Sequence, residues 1–170
     1  MSIADAVARA RAYLAEHPGE ARYRDAHARA RLSSGLVVDV DGPGGESLRT
    51  DMPRGIGGTA TLPSPGWYLR AAAASCVVSL MAIRAATLGM PLAPGSVEVV
   101  VDSESDDRGI LGLDDSVPAG ALSVRIVVRV DPKAIPAEQA AEIARWAVDH
   151  CPVTEGLRRE VPLELELSGS

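Results

Sequence analysis

Hydrophobic and polar residues recur with two different periods along this chain, and the period of each segment predicts whether it is a helix or a strand. The first segment has apolar residues three or four positions apart, which predicts an amphipathic helix. Ser2 and Asp5 have the spacing of a capping box at its start, and Pro18 stops the pattern. We expect this helix to pack on the domain or on a second subunit. Its apolar positions are Ile3, Val7, Ala10 and Leu14.

Short segments that suit strands come next. His27–Leu32 and Gly35–Asp41 lie on either side of a Ser-Ser-Gly turn, which predicts a hairpin, and Glu46–Met52 is a plausible third strand. The glycine-rich segment 54–62 then leads into the next helix. It lacks the glycine and lysine spacing of phosphate-binding loops, so phosphate binding is not expected there.

The longest apolar stretch of the chain, Pro63–Gly89, predicts a helix of about six turns. Ser64 suits its N-cap, and Gly89 suits a left-handed residue at its end. Because the stretch is apolar on nearly every side, we expect the helix to be buried all round. Arg70 and Arg84 interrupt the apolar run, which argues against a membrane span.

The remainder of the chain alternates strands and helices without a βαβ repeat, so the predicted class is α+β with antiparallel sheet. The segment Glu104–Gly120 is rich in acidic residues and predicts a solvated excursion. Strands are predicted at Ser96–Ser103, Ala121–Val130 and Val161–Leu167, and a helix at Pro136–Asp149.

Composition and net charge limit the partners and the cellular location that we expect for this protein. The 170 residues are 46% apolar, with no Phe and a formal net charge of −6, which disfavours nucleic acid and anionic membranes as partners. The N-terminus lacks the apolar core of a signal peptide, so a cytoplasmic location is expected. We assign residues 1–20 to an N-terminal helix and residues 21–170 to a single domain.

Two cysteines are the candidates for chemistry. In a reducing compartment, two cysteines are not expected to form a structural disulfide. The roles that remain for them are packing in the core, redox catalysis and redox sensing. Cys76 lies inside the long helix, whereas Cys151 precedes Pro152 and is predicted to be the N-cap of a short helix, where the helix dipole favours a thiolate. One thiolate could attack a substrate and the other resolve the product by exchange. A zinc site has little support, because His150 adds only a third ligand.

The residues around the two cysteines resemble the OsmC/Ohr family, the osmotically inducible protein C and organic hydroperoxide resistance proteins. A glycine-rich loop precedes Pro65 and an alanine-rich helix ending AAAASC, with Cys76 eleven residues after the proline. The segment Cys151-Pro152-Val153 resembles the family's second cysteine, and the closing Leu/Glu strand follows at a suitable distance. The resemblance covers roughly residues 26–168, leaving the N-terminal helix as an addition.

The resemblance implies an OsmC-like fold, with antiparallel sheets wrapped around long central helices in an intertwined homodimer. It also implies a thiol peroxidase that reduces organic hydroperoxides without a bound cofactor. Cys76 would be the peroxidatic residue and Cys151 the resolving one. A dithiol, such as a lipoyl group on a partner protein, would reduce the disulfide again.

One departure from the family pattern bears on activity. In the peroxidases an acidic residue follows the proline and holds an arginine that activates the thiolate, whereas this chain has Gly66 there. The nearest match to the arginine is Arg54, with Arg49 or Arg31 as alternatives. Without a cation, a thiol in an apolar pocket keeps a raised pKa and reacts slowly.

Two functions of different class therefore remain open. The first is the peroxidase, with a small apolar hydroperoxide as substrate and a disulfide between the two cysteines as product. The second is a non-catalytic member of the family that binds an apolar small molecule or acts as a thiol redox sensor. Gly66 is the feature that favours the second function.

Overall fold

The long apolar helix, α2 (Pro65–Thr87), contributes to both of the units into which the chain divides. The first unit is Met1–Ala72, and the second begins at Ala73. The computed structural model describes residues 1–167. Helices and small antiparallel sheets make up both units, which confirms the predicted α+β class.

The first unit begins with helix α1 (Ile3–Glu16), which confirms the predicted N-terminal helix. The Ser2 hydroxyl accepts from the N–H of Asp5, whose carboxylate accepts in turn from the N–H of Ser2, so the capping box is formed. A 3₁₀ turn, Pro18–Glu20, follows. No residue of α1 is buried; Val7 is half-buried, while Ile3 and Leu14 are exposed, so much of the apolar stripe of this helix is uncovered.

A three-stranded antiparallel sheet follows in the order β1 (Arg29–Ser34), β2 (Val37–Asp41) and β3 (Ser47–Thr50). Gly35 has φ +58° at the turn between β1 and β2, a conformation that glycine adopts at little cost. The predicted hairpin and third strand are thus confirmed, with ends that differ by at most two residues.

The second unit contains the hairpin of β4 (Val97–Glu104) and β5 (Ser123–Val130), which pair in antiparallel register over their whole length. The acidic excursion between them contains a four-residue helix, α3 (Asp107–Ile110). Two further helices, α4 (Ala137–His150) and α5 (Pro152–Arg158), follow β5.

The core of the second unit forms where one stripe of α2 meets α4 and the β4–β5 hairpin. The prediction that α2 is buried all round is wrong for the single chain, because neighbours within the chain cover only a stripe with i, i+4 spacing and the residue beside it. The buried residues of α2 are Ala73, Val77, Met81, Ala85 and Ala86.

By its length and composition, helix α2 could cross a membrane. It is the only helix among residues 1–167 that meets this criterion. Core helices of globular proteins pass the same test. The buried stripe of α2 belongs to the apolar core of the second unit, so α2 fits a core helix.

The predicted closing strand, Val161–Leu167, is wrong for the described chain, because residues 161–167 form no strand. A strand needs a neighbour to satisfy its N–H and C=O groups, and here the segment pairs with neither sheet. Its leucines are largely exposed: Leu163 at 91%, Leu165 at 78% and Leu167 at 86%.

Candidate active site

Cys76 lies on α2 beside the buried stripe of that helix. Its neighbour Val77 is fully buried, whereas Cys76 itself is half-buried and packs against the core cluster. The backbone N–H groups and C=O groups of α2 are used within the helix, so the side chain is held on a rigid support. The Cys76 thiol is therefore held in place and partly exposed to solvent.

Cys151 lies at the junction of α4 and α5, where it is the N-cap of α5 and Pro152 takes the first helical position, as predicted. The residue is fully buried and belongs to the core cluster. Its sulfur makes no regular capping hydrogen bond. The N–H groups of Val153 and Thr154 nevertheless place partial positive charge near it and favour its thiolate.

The structure places the two thiols close enough for each to affect the pKa of the other, and Cys76 packs against the core cluster that contains Cys151. Burial, and then the neighbouring Cys151 thiol, raise the pKa of Cys76 from 9.0 to about 11. Burial also opposes ionisation of Cys151, but the Cys76 thiol and the groups of Thr154 lower the pKa of Cys151 below its ordinary value.

Thr154 is a residue of this site that the sequence analysis missed. It is buried, and its hydroxyl has the carbonyl oxygens of Val148 and Cys151 within hydrogen-bond distance. These contacts join the end of α4 to the first turn of α5 and so fix the position of Cys151. The position three residues after a predicted N-cap was the available clue, since side chains there contact the cap.

Arg54, the predicted thiolate activator, lies in the first unit, in a 3₁₀ turn (Arg54–Ile56) of the glycine-rich loop. Its Nε donates to the carbonyl oxygen of Thr59 at 3.2 Å. The alternatives Arg31 and Arg49 instead form ion pairs with Asp41 and Asp39. Whether any of these arginines activates Cys76 stays a prediction.

The loop that carries Arg54 is organised by a buried carboxylate that the sequence analysis also missed. Asp51 is 1% exposed and accepts from the N–H of Met52, the N–H and hydroxyl of Thr59 and the N–H of Thr61. The Thr59 hydroxyl and the backbone amides lower the pKa of Asp51. These N–H groups face a carboxylate of the protein itself, so they are not available to a phosphate.

Gly66, the departure from the family pattern, lies next to a guanidinium. A Cβ at this position would stand 3.7 Å from Nη1 of Arg70 and 3.9 Å from Oγ of Ser64, which is ordinary contact distance. Ser64 caps this end of α2 by accepting from the N–H of Trp67. The place where the peroxidases have a carboxylate is therefore open and adjoins a cation.

A metal site needs several ligating side chains close together. Within residues 1–167 there is no group of three or more His, Cys, Asp or Glu side chains that could hold a metal ion. A cavity of about 280 Å³ lies between β2, β3 and the segment before β1. Its lining includes Val40, Leu48, Asp41 and Glu46 and none of the predicted site residues.

Comparison with known families gives one match. Residues 58–166 match the model of the family described as OsmC-like protein, which spans both cysteines and leaves α1 outside. No curated protein sequence matches the chain.

Solved structures with a similar fold are distant in sequence. OhrB, the organic hydroperoxide resistance protein of Bacillus subtilis, is 21% identical with a TM-score of 0.57, over 85% of this chain and 98% of that one. An organic hydroperoxide resistance protein OsmC from Legionella pneumophila is 18% identical with a TM-score of 0.61, over 81% and 91%. An OsmC-like protein from Mycoplasma pneumoniae is 13% identical with a TM-score of 0.66, over 81% and 89%. At these identities the likeness establishes the fold.

Proposed function

This chain belongs to the OsmC-like family, and from that premise we propose that it is a thiol peroxidase that reduces organic hydroperoxides with Cys76 and Cys151. The observation that carries the proposal is the contact between two free thiols at one apolar site. Two similar structures are of proteins named for organic hydroperoxide resistance, which is consistent with this chemistry.

The exposure of the two thiols supports their roles. Cys76 is half-buried and can meet a peroxide, so it takes the peroxidatic role and becomes a sulfenic acid. Cys151 is fully buried behind it and takes the resolving role. Attack of its thiolate on the Cys76 sulfur gives the disulfide. An apolar surrounding of Val77, Met81 and Ile143 suits an organic substrate.

The partners of the reaction follow from this chemistry. A dithiol, such as a lipoyl group on another protein, returns the disulfide to two thiols, and Arg54 is the candidate activator of Cys76. A cytoplasmic location would keep the pair reduced between turnovers. Residues 1–20 form an addition to a domain that spans residues 21–170.

We also infer that the chain works as a homodimer. Apolar side chains of α2 and of the C-terminal segment are exposed in the single chain, among them Trp67 at 49% and Leu163 at 91%. Exposed apolar surface of this extent is typical of a protein–protein contact. A second copy would complete the burial that the composition of α2 predicts.

A second candidate function is a non-catalytic member that binds an apolar small molecule or senses thiol oxidation. Two observations favour it: Gly66 replaces the activating carboxylate, and burial raises the pKa of Cys76 to about 11. A thiol that stays protonated at neutral pH reacts slowly unless its proton is removed during attack.

Peroxide consumption separates the two functions. The reduced protein is mixed with cumene hydroperoxide and dihydrolipoamide, and peroxide loss is followed for wild type, Cys76→Ser and Cys151→Ser. We expect turnover in wild type and none in Cys76→Ser, while Cys151→Ser oxidises once and stalls. Equal peroxide loss in wild type and Cys76→Ser, or none in wild type, would reject the peroxidase in favour of the second candidate.

A further inference from the structure

An ion pair joins α2 to α4 about two helical turns away from the thiols. Nη2 of Arg84, on α2, donates to Oε1 of Glu142, on α4, at 2.7 Å. The same guanidinium lies over the indole of Trp146, with its Cζ 5.4 Å from the ring centroid. Glu142 and Trp146 are four residues apart and so share one side of α4. Two neighbouring side chains of α4 therefore hold Arg84 in place.

Stability alone does not explain the position of Arg84. Its side chain is 25% exposed, and within residues 1–167 its buried Nε has no hydrogen-bond partner. A buried N–H without a partner destabilises a fold, and a partly buried ion pair has to offset the hydration that both charges lose. Polar contacts of this kind can instead fix one arrangement of the helices that they join, as a single buried polar residue does in coiled coils.

The offsets along the two helices relate this ion pair to the cysteines. Arg84 lies eight residues after Cys76, and Glu142 lies nine residues before Cys151. At a helical rise of about 1.5 Å per residue, these offsets are about 12 Å and about 14 Å. Cys76 packs against the core cluster that contains Cys151, so the two helices pass each other in opposite directions. The pairing of Arg84 with Glu142 therefore sets the two cysteines at the same level along the helices.

The end of α4 is connected to the same contact through Trp146. The ring of His150 stacks on the ring of Trp146, with centroids 4.2 Å apart, and its Nδ1 lies 2.8 Å from the carbonyl oxygen of Trp146. Cys151 follows His150 directly. A shift of Trp146 relative to α2 would therefore move the backbone that carries Cys151.

Apolar packing between α2 and α4 is less directional than this ion pair. Val77, Met81 and Ile143 pack in the core cluster, and burial of apolar area by itself tolerates small shifts and rotations of a helix. A disulfide tolerates little, since its Cβ atoms must lie about 3.5–4.5 Å apart with a narrow range of dihedral angle. A charge-assisted hydrogen bond has a fixed direction and supplies the missing constraint.

We propose that Arg84 is a positioning residue of the thiol pair: its contacts with Glu142 and Trp146 fix the register of α2 on α4 that brings Cys76 to Cys151. The proposal rests on the proposed function, because only a redox pair needs this register. The role differs from thiolate activation, since Arg84 acts on the distance between the two sulfurs and not on the charge of either.

Equilibrium with glutathione tests this role without any peroxide. Two protein thiols and one oxidised glutathione give one protein disulfide and two glutathione thiols, so atoms and electrons balance. The fraction of Cys76–Cys151 disulfide is measured at a series of glutathione ratios by acid quenching and peptide mapping, with circular dichroism to verify folding. We expect Arg84→Met to lower the equilibrium constant for the disulfide by about tenfold. A role in stability alone would change urea unfolding and leave this constant as it is in wild type.

The same contact can be removed from its more exposed side. Glu142→Met should lower the constant by a similar factor, and it decides the question if Arg84→Met does not fold. The double variant should be no lower than either single variant, because all three lack one contact. Arg129→Met is the matched control, since its ion pair with Glu98 has the same length but joins β4 to β5. A constant within about twofold of wild type in a folded Arg84 or Glu142 variant, or an equal fall in Arg129→Met, overturns the proposal.

The fate of the sulfenic acid separates this role from the proposed function. After one equivalent of cumene hydroperoxide, dimedone traps the sulfenic acid that Cys151 has not yet resolved. We expect Arg84→Met to give severalfold more dimedone adduct per oxidised Cys76 than wild type, because the disulfide step needs the register. Equal adduct in the two proteins overturns the positioning role. Absence of oxidation in both rejects the proposed function, and the glutathione equilibrium then still decides whether Arg84 positions the pair.

Discussion

At the scale of single residues, the candidate site consists of two cysteines that meet in one apolar core. The sequence places Cys76 in an apolar helix and Cys151 before a proline, and both features are local, so both could be predicted. The contact between the thiols, and the groups of Thr154 that favour the Cys151 thiolate, depend on how α2, α4 and α5 pack. The residues around each cysteine do not determine how these helices pack, so the contact between the thiols could not be predicted from them.

The pKa of Cys76 predicts a dependence of stability on pH. Because folding raises this pKa from 9.0 to about 11, the protonated thiol stabilises the folded state below pH 9, and the contribution is lost as pH rises through about 11. The free energy of unfolding of wild type should therefore fall relative to that of Cys76→Ala between pH 9 and pH 11. Urea unfolding at a series of pH values measures this difference. A difference that stays constant or grows contradicts the burial argument.

Gly66 allows a second prediction at this scale. A glutamate there has room beside Arg70, lies in the first turn of α2 and replaces a poor helix former. We expect Gly66→Glu to raise the free energy of unfolding by about 0.5–1 kcal/mol. Gly66→Gln is the matched control, since it gains helix propensity without the charge. Equal stability of the Glu and Gln variants would show that Arg70 and the helix dipole do not act on this position.

At the scale of elements, sequence patterns predicted the helices best. Ser2 with Asp5, Ser64 and Gly89 are local start and stop features, and each lies at the end of an observed helix. The strand predicted at Val161–Leu167 failed for a physical reason: alternation predicts which side chains share a face, but not whether a neighbouring strand is present. Asp51 was missed likewise, because its donors come from residues up to ten positions further along the chain.

The glycine-rich loop before α2 gives a prediction that belongs to this scale. A Cβ at Gly58 would stand 1.8 Å from the carbonyl oxygen of Met52, so Gly58→Ala forces the loop around Asp51 to move. We expect a loss of about 1–3 kcal/mol in the free energy of unfolding. Gly55→Ala, where nothing lies within 4 Å, should be near neutral. Urea unfolding of both variants checks this, and an equal effect at the two glycines would contradict the packing described.

At the scale of the whole molecule, α2 and the C-terminal segment have more apolar surface than the single chain covers. Composition alone predicted a fully buried α2, and the single chain buries only a stripe of it. The family resemblance, rather than any local pattern, supplied the expectation of a second subunit. Our account therefore assigns the uncovered surface to a homodimer.

Light scattering coupled to size exclusion tests that assignment. Wild type should elute with the mass of two chains, and Leu163→Asp with Leu165→Asp should shift the equilibrium toward one chain, because a charge in an apolar contact is costly. Glu164→Gln with Glu166→Gln is the matched control on the alternate positions of the same segment. A wild type that stays monomeric at all concentrations would contradict the dimer.

The central claim is that Cys76 and Cys151 form one redox pair that an organic hydroperoxide oxidises. Its most direct test is mass spectrometry of the reduced protein after one equivalent of cumene hydroperoxide, with peptide mapping of the product. The account predicts that each chain loses two hydrogens and that the peptides of Cys76 and Cys151 are recovered joined by a disulfide. Recovery of both cysteines as free thiols, with the peroxide unconsumed, would contradict it.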